Sequence, residues 1–182
     1  MNFYISGTSG SGKSTLARNL AHDFQLTHIE LDALHFDSDW AERPDEDFVR
    51  DVSLKMEEGP WVVCGNYKEI LALALEKVDY LIWLDYPLPL ILWRVSKRTL
   101  RRLIKKDKCC GENYERWYRQ FFTRDSIFLW VLKTYRKNKR RYKNISKYSQ
   151  YGLCVRRIRS PRELEKFLKT IKESKSMDEV GK

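Results

Sequence analysis

Eight residues near the amino terminus, Gly7-Thr8-Ser9-Gly10-Ser11-Gly12-Lys13-Ser14, combine three glycines with a lysine and a terminal hydroxyl, and Thr15 follows them. The spacing satisfies GxxxxGK[ST] in full. Glycines at these positions let successive backbone N–H groups converge on one anion, the lysine bridges the outer oxygens of a triphosphate, and the Ser14 hydroxyl is placed to ligate Mg2+. The chemistry of such a loop is phosphate binding. Its expected ligands are ATP and Mg2+, held by Gly7, Gly10, Ser11, Gly12, Lys13, Ser14 and Thr15.

A phosphate-binding loop does chemistry only with an acceptor beside it. Asp32 ends the apolar-acidic run Ile29-Glu30-Leu31-Asp32, and a carboxylate there would polarise an acceptor hydroxyl, hold Mg2+ through water, or simply cap the next helix. Glu30 shares its side-chain parity two residues deeper. His35, Phe36, Trp40 and Arg43 follow in what reads as a loop, a set suited to a planar or anionic acceptor, although a histidine of this kind also serves as packing. Gly65-Asn66-Tyr67 closes another apolar run, where Asn66 and Tyr67 would reach an acceptor. Asp85 ends a further run, either as a carboxylate near the metal or as a cap of the helix beginning near Pro87. Arg94, Arg98, Arg101 and Arg102 recur at three- and four-residue steps, so they share one broad helical face, and Arg98 is the expected catalytic cation among them.

The elements that must position these groups alternate along the chain. Asn2–Ser6 reads as a buried strand, and Lys13–Phe24 as a helix carrying Leu16, Leu20 and Phe24 along one face. His28–Leu31 reads as a strand and Pro44–Glu58 as a helix with Phe48, Val52 and Met56 aligned and Gly59 beyond its end. Trp61–Cys64 and Asp79–Leu84 are apolar runs of strand length separated by a helical Lys68–Lys77. A long helix from Pro87 to about Lys106 begins apolar and turns basic, two more helical stretches reach about Tyr142, and Gly152–Ile158 is the last strand. Ser160-Pro161-Arg162-Glu163 then opens a terminal helix as a capping box. Five strands alternating with helices imply a doubly wound α/β fold: a parallel sheet covered on both faces, with ligands beyond the carboxyl ends of its strands.

At 182 residues, 42% of them hydrophobic and 33% charged, the chain has material for one core and one domain. No apolar run approaches the roughly 20 residues of a membrane span, and the start lacks the pattern of a secretory signal, so a cytoplasmic location is expected. Cysteines at 64, 109, 110 and 154 show no zinc spacing and are expected to be reduced thiols. The net charge of +10 is unevenly spread: residues 91–160 hold 22 Lys and Arg against 4 Asp and Glu. That excess must meet phosphate, nucleic acid or water.

Taken together, the phosphate loop, Leu31-Asp32-Ala33-Leu34-His35, Gly65-Asn66-Tyr67, Leu84-Asp85-Tyr86-Pro87 and Leu92-Trp93-Arg94-Val95 resemble the adenylate-kinase-related P-loop proteins of the DNA topology modulation (FlaR-like) group. The resemblance spans about residues 1–172 and leaves 173–182 as a frayed polar tail. It implies a P-loop NTPase fold with strand order 2-3-1-4-5, an acceptor-binding segment at about 32–59 and a basic helical lid at about 105–145. It also implies Gly10–Thr15 on the ATP phosphates, Asp32 and the Gly65-Asn66-Tyr67 turn facing the acceptor, Arg94 and Arg98 at the lid base, and Arg159–Pro161 near adenine. Many members of that group carry Asp immediately before the Gly-Asn-Tyr turn, where this chain has Cys64. The expected function is a kinase moving the γ-phosphate of ATP to a small-molecule or nucleotide acceptor. The competing expectation is an ATP-dependent, DNA-associated regulator that uses the basic half as a duplex-binding surface.

Overall fold

The computed structural model describes residues 1–37, 41–105, 108–109, 113–114, 127–144 and 154–180, with side chains described for 1–37, 41–101, 129–144 and 154–174. In chain order the elements are β1 (Phe3–Gly7), α1 (Lys13–Phe24), β2 (Thr27–Glu30), α2 (Leu31–His35), α3 (Asp45–Glu57), β3 (Trp61–Cys64) and α4 (Lys68–Leu75). There follow β4 (Tyr80–Leu84), α5 (Leu88–Lys105), β5 (Lys108–Cys109), β6 (Asn113–Tyr114), α6 (Ile127–Lys143), β7 (Cys154–Ile158) and α7 (Pro161–Val180).

The main sheet is parallel throughout, in the order β2-β3-β1-β4-β7, which is 2-3-1-4-5 when its own strands are counted. Both faces of the strands are apolar, because a parallel sheet is covered by crossover helices on each side. Phe3, Ile5, Val62, Cys64, Ile82 and Leu84 pack with α1, α5 and α7 on one face. Tyr4, Trp61, Val63, Leu81 and Trp83 alternate to the other, where Phe48, Val52 and Met56 of α3, Ile70 of α4 and Tyr142 of α6 cover them. No described helix is long and apolar enough to cross a membrane.

Two differences from the sequence reading bear on the site. The segment after β2 begins as the short helix α2 and not as a loop, and it continues as a tight turn in which Asp37 N–H donates to Ala41 O and Arg43 N–H to His35 O, each at 2.9 Å. Trp40 lies outside the described residues, as does most of the expected lid. The hairpin β5–β6 stands where the sequence showed no strand. At the other end Ser160 Oγ accepts from Glu163 N–H at 3.2 Å, and Glu163 reaches back to Arg159 N–H at 2.7 Å, so the capping box forms and α7 continues past Glu173 to Val180.

Asp85 is neither a helix cap nor open to a metal. Its N–H extends the ladder to Ile158 O, and its buried carboxylate takes both Arg157 Nε at 2.8 Å and Arg157 Nη2 at 2.5 Å, with Lys139 Nζ at 4.0 Å. The Arg157 guanidinium also lies 4.7 Å from the Trp83 ring centroid. Arg157→Ala strands a buried carboxylate and should destabilise the fold by about 3 kcal/mol, the low end for such a loss because the arginine is 36% exposed. Urea unfolding checks this, and a loss under about 1 kcal/mol would show that Lys139 alone suffices.

Candidate active site

The loop between β1 and α1 takes its shape from its glycines. Gly10 and Gly12 adopt φ of 83° and 98°, the left-handed region where a side chain is strained, and Gly12 forms the amino-terminal cap of α1. A Cβ on Gly10 would stand 2.4 Å from Val95 Cγ2, so the loop rests directly on α5. Ser11 N–H closes a turn onto Thr8 O at 3.0 Å, and Arg94 of α5, its guanidinium 5.0 Å from the Tyr86 ring centroid, donates to Ser11 O at 3.0 Å. No side chain caps the first turn of α1, and the buried Ser11 hydroxyl has no hydrogen-bond partner. An uncapped helix start with an orphaned donor beside it is what an anion would complete, so the loop fits a polyphosphate.

Lys13 is half-buried, and its ammonium makes only a long 3.4 Å hydrogen bond to Thr8 O. Burial pushes its pKa down, and the negative charge of Asp32 opposes that shift most strongly, followed by Cys64; Arg98 pushes it further down and Glu30 back up. Those directions put Lys13, Asp32, Cys64, Arg98 and Glu30 in one electrostatic neighbourhood. A desolvated lysine flanked by a second cation is ready for an anionic ligand. Ser14 and Thr15 follow in the first turn of α1, and the Ser14 side chain interacts with the Cys64 thiol.

Asp32 sits inside the first turn of α2, not at its cap, and accepts a 3.0 Å hydrogen bond from Tyr67 Oη. Gly65 makes this approach possible: a Cβ there would lie 2.7 Å from Leu31 Cδ1, so β3 closes tightly on the residue that precedes Asp32. His35 is buried among Phe36, Phe48 and Tyr67, with ring centroids 4.8 to 4.9 Å away, which makes it a member of an aromatic cluster and not an exposed base. Arg43 is already engaged, donating to Leu34 O at 3.2 Å and to Asp51 Oδ2 at 2.7 Å.

Asn66 turns from the expected acceptor side to the loop itself. Its Oδ1 accepts from Gly7 N–H at 3.2 Å and its Nδ2 donates to Gly7 O at 2.8 Å. Tyr142 Oη donates to the same Oδ1 at 3.0 Å, and Arg141 Nη1 donates to Asn66 O at 2.6 Å. Of the expected site residues, then, the glycine loop, Lys13, Ser14, Asp32, Tyr67 and Arg98 come together, while His35, Arg43 and Asn66 serve packing and support. Arg141, Tyr142 and Arg94's contact with Ser11 O were not foreseen. Only the position of Tyr142 at the end of an apolar-basic helix hinted that this end is buried.

Cys64 is buried with its Sγ 3.9 Å from His28 Nε2, and burial followed by the charge of Glu30 pushes its thiol from 9.0 up to about 12. The thiol is therefore neutral in the folded chain and offers no carboxylate-like ligand.

A scan against protein-family models finds no match, and neither does a comparison with curated proteins. Among solved structures the chain is similar to an unliganded sugar kinase from Janibacter sp. HTCC2649, at 25% identity and a TM-score of 0.41 over 53% of this chain. The match spans 66% of that kinase's length. The chain's own topology and glycine loop define a P-loop α/β fold.

Asn66→Ala removes three hydrogen bonds around Gly7 and should cost about 2 kcal/mol of stability, measured by urea unfolding. Asn66→Asp, which keeps the acceptor but loses the donor to Gly7 O, should fall between the two. The thiol gives a pH dependence of definite sign. Because Cys64 titrates near 12 when folded and near 9.0 when unfolded, its contribution is full below pH 9 and declines by about 1.4 kcal/mol per pH unit as pH rises from 9 toward 12. Buried Tyr4 and Tyr142, also raised, act in the same direction. Cys64→Ala should therefore flatten the alkaline decline in part, and an unchanged slope would place the thiol in water.

Proposed function

We propose that the protein is a kinase that transfers the γ-phosphate of ATP, as its Mg2+ complex, to a hydroxyl acceptor held beside Asp32. The observation that carries this reading is the juxtaposition of Lys13 on an uncapped glycine loop with the Asp32–Tyr67 pair at the same sheet rim. A loop that only stored nucleotide would have no need of an oriented carboxylate next to its lysine.

In the proposed mechanism the backbone N–H groups of residues 10–15 and the Ser11 hydroxyl bind the phosphates, and Lys13 and Arg98 neutralise charge on the transferring group. Mg2+, when bound, screens the phosphate oxygens. Ser14 would ligate it, with Asp32 and Glu30 reaching it through water, since Cys64 occupies the place on β3 where a carboxylate would otherwise stand. Among the described residues no three His, Cys, Asp or Glu side chains form a metal cluster of their own, so the nucleotide's oxygens supply most of the ion's ligands. Tyr67 fixes the Asp32 carboxylate by donating to Oδ1, leaving Oδ2 for the acceptor hydroxyl. The acceptor oxygen attacks the γ-phosphorus in line, its proton passes to Asp32, and ADP departs with the electrons of the broken phosphorus–oxygen bond.

Asp32→Asn retains an acceptor for Tyr67 Oη while abolishing the base. It should lower turnover by roughly 100-fold or more and change ATP affinity only a few-fold, as measured by release of ADP and by calorimetry. Normal turnover in this variant would reduce Asp32 to a structural residue and remove the reading's main support.

A further inference from the structure

The kinase reading leaves the acceptor's charge open, and the residues of the acceptor flank constrain it. Segment 27–59, from β2 to the end of α3, holds eleven carboxylates against three cations, Arg43, Arg50 and Lys55. Two of those cations are bound internally. Arg43 is divided between Leu34 O and Asp51, and Arg50 pairs with Asp47 at 2.9 Å and Asp51 at 3.5 Å.

The third, Lys55, stands in the last turn of α3. That helix leads through Gly59 and Pro60 into Trp61, which pairs with Thr27 at the amino-terminal edge of the sheet, so Lys55 is at the end away from the phosphate loop. Elsewhere at the rim, Arg94 is held on Ser11 O, Arg141 on Asn66 O, and Arg157 and Lys139 on Asp85. Lys13 and Arg98 lie with the phosphate loop. The described acceptor flank thus presents Glu30, Asp32, Asp37 and Glu42 with no cation assigned to an incoming anion.

An anionic acceptor would have to approach a second polyanion, the nucleotide, between these carboxylates, and sites that bind such acceptors supply bidentate arginines for the purpose. An acceptor without negative charge meets no such barrier. Its carbon skeleton would find the aromatic cluster of His35, Phe36, Phe48 and Tyr67, in which the buried His35 Nδ1 still lacks a hydrogen-bond partner that a hydroxyl can provide. We propose that the phosphoryl acceptor is an uncharged or amine-bearing hydroxyl compound, carrying neither phosphate nor carboxylate, and that the Arg43–Asp51 pair enforces this choice. The inference rests on the kinase reading above. Its chemistry is that same transfer: the new oxygen–phosphorus bond forms on the acceptor hydroxyl, the β–γ bridge breaks, and the hydroxyl proton goes to Asp32.

The test uses matched pairs differing by one phosphate: adenosine and AMP, glycerol and glycerol 3-phosphate, ethanolamine and phosphoethanolamine. Each is assayed with the full chain and ATP-Mg for ADP release. Each is also titrated by calorimetry in the presence of β,γ-imido-ATP. The expected result is that at least one unphosphorylated member binds and reacts, with kcat/KM at least 100-fold above that of its phosphorylated partner. Asp51→Asn, which frees Arg43 Nη2 without touching the phosphate loop, should raise affinity for the phosphorylated members about tenfold; if this variant does not fold, the wild-type pairs decide alone. A phosphorylated member that binds or reacts better than its partner would overturn the inference while leaving the kinase reading intact. A panel in which nothing unphosphorylated binds or reacts also overturns it. If ATP-Mg itself fails to stabilise the wild-type chain relative to Lys13→Ala, the kinase reading falls first and the acceptor assignment with it.

Discussion

The site depends on how the side chain of Asn66 holds Gly7. The ladder between β1 and β3 proceeds by backbone bonds as far as Gly65 N–H to Ile5 O at 3.1 Å, after which the β3 chain turns away. The Asn66 carboxamide then presents one acceptor and one donor to Gly7, as the next peptide of a strand would, and so carries the ladder one step further. Without it the last residue of β1 would have both polar groups unpaired on that side, at the point where the glycine loop begins. The same carboxamide oxygen accepts Tyr142 Oη, and the Asn66 carbonyl accepts Arg141, so α6 braces the clasp from above. Nucleotide loop, third strand and basic helix are therefore one mechanical unit.

That unit explains what much of the basic half is for. Tyr135, Lys139 and Tyr142 recur at helical spacing and face inward, to Tyr86 O, Asp85 and Asn66 respectively. Arg136, Lys137 and Arg140 lie exposed on the other side of the helix. The cations of the rim are consequently of two kinds: those that tie elements to each other, and Lys13 and Arg98, which act on the loop. The acidic segment between β2 and β3 faces this array. Lys13 stands where the two fields meet, its charge destabilised by burial and restored chiefly by Asp32. A phosphate bound there supplies the compensation that the protein alone withholds.

Much of this was legible in the sequence, and the illegible part has a common cause. The glycine loop and Lys13–Phe24 are local patterns, a fixed spacing followed by a 3.6-residue period, and they appear at the expected residues. Ser160 and Glu163 likewise signal their helix through neighbours three residues apart. The five residues of α2 are too few to show a period, so Asp32 and His35 read as loop residues. The burial of His35 is set by Phe48 and Tyr67, and the engagement of Arg43 by Asp51, contacts that pattern reading does not pair. Asn66 was correctly placed at the active rim, but its direction was decided by Gly7 and Tyr142, 59 and 76 residues away. Position along the sheet is written locally, whereas a polar side chain's choice of partner is written in the tertiary structure.

The central claim is that the glycine loop is a preorganised triphosphate cradle completed by Lys13. Calorimetric titration of ATP-Mg into the wild-type chain and into Lys13→Ala, with urea unfolding to confirm that both are folded, tests it most directly. The account predicts saturable one-to-one binding by the wild type and a loss of roughly 100-fold in affinity, about 2.7 kcal/mol, in the variant. Equal affinity in two equally folded proteins would contradict it, because the nucleotide would then be bound elsewhere or held without the one side chain the loop exists to present.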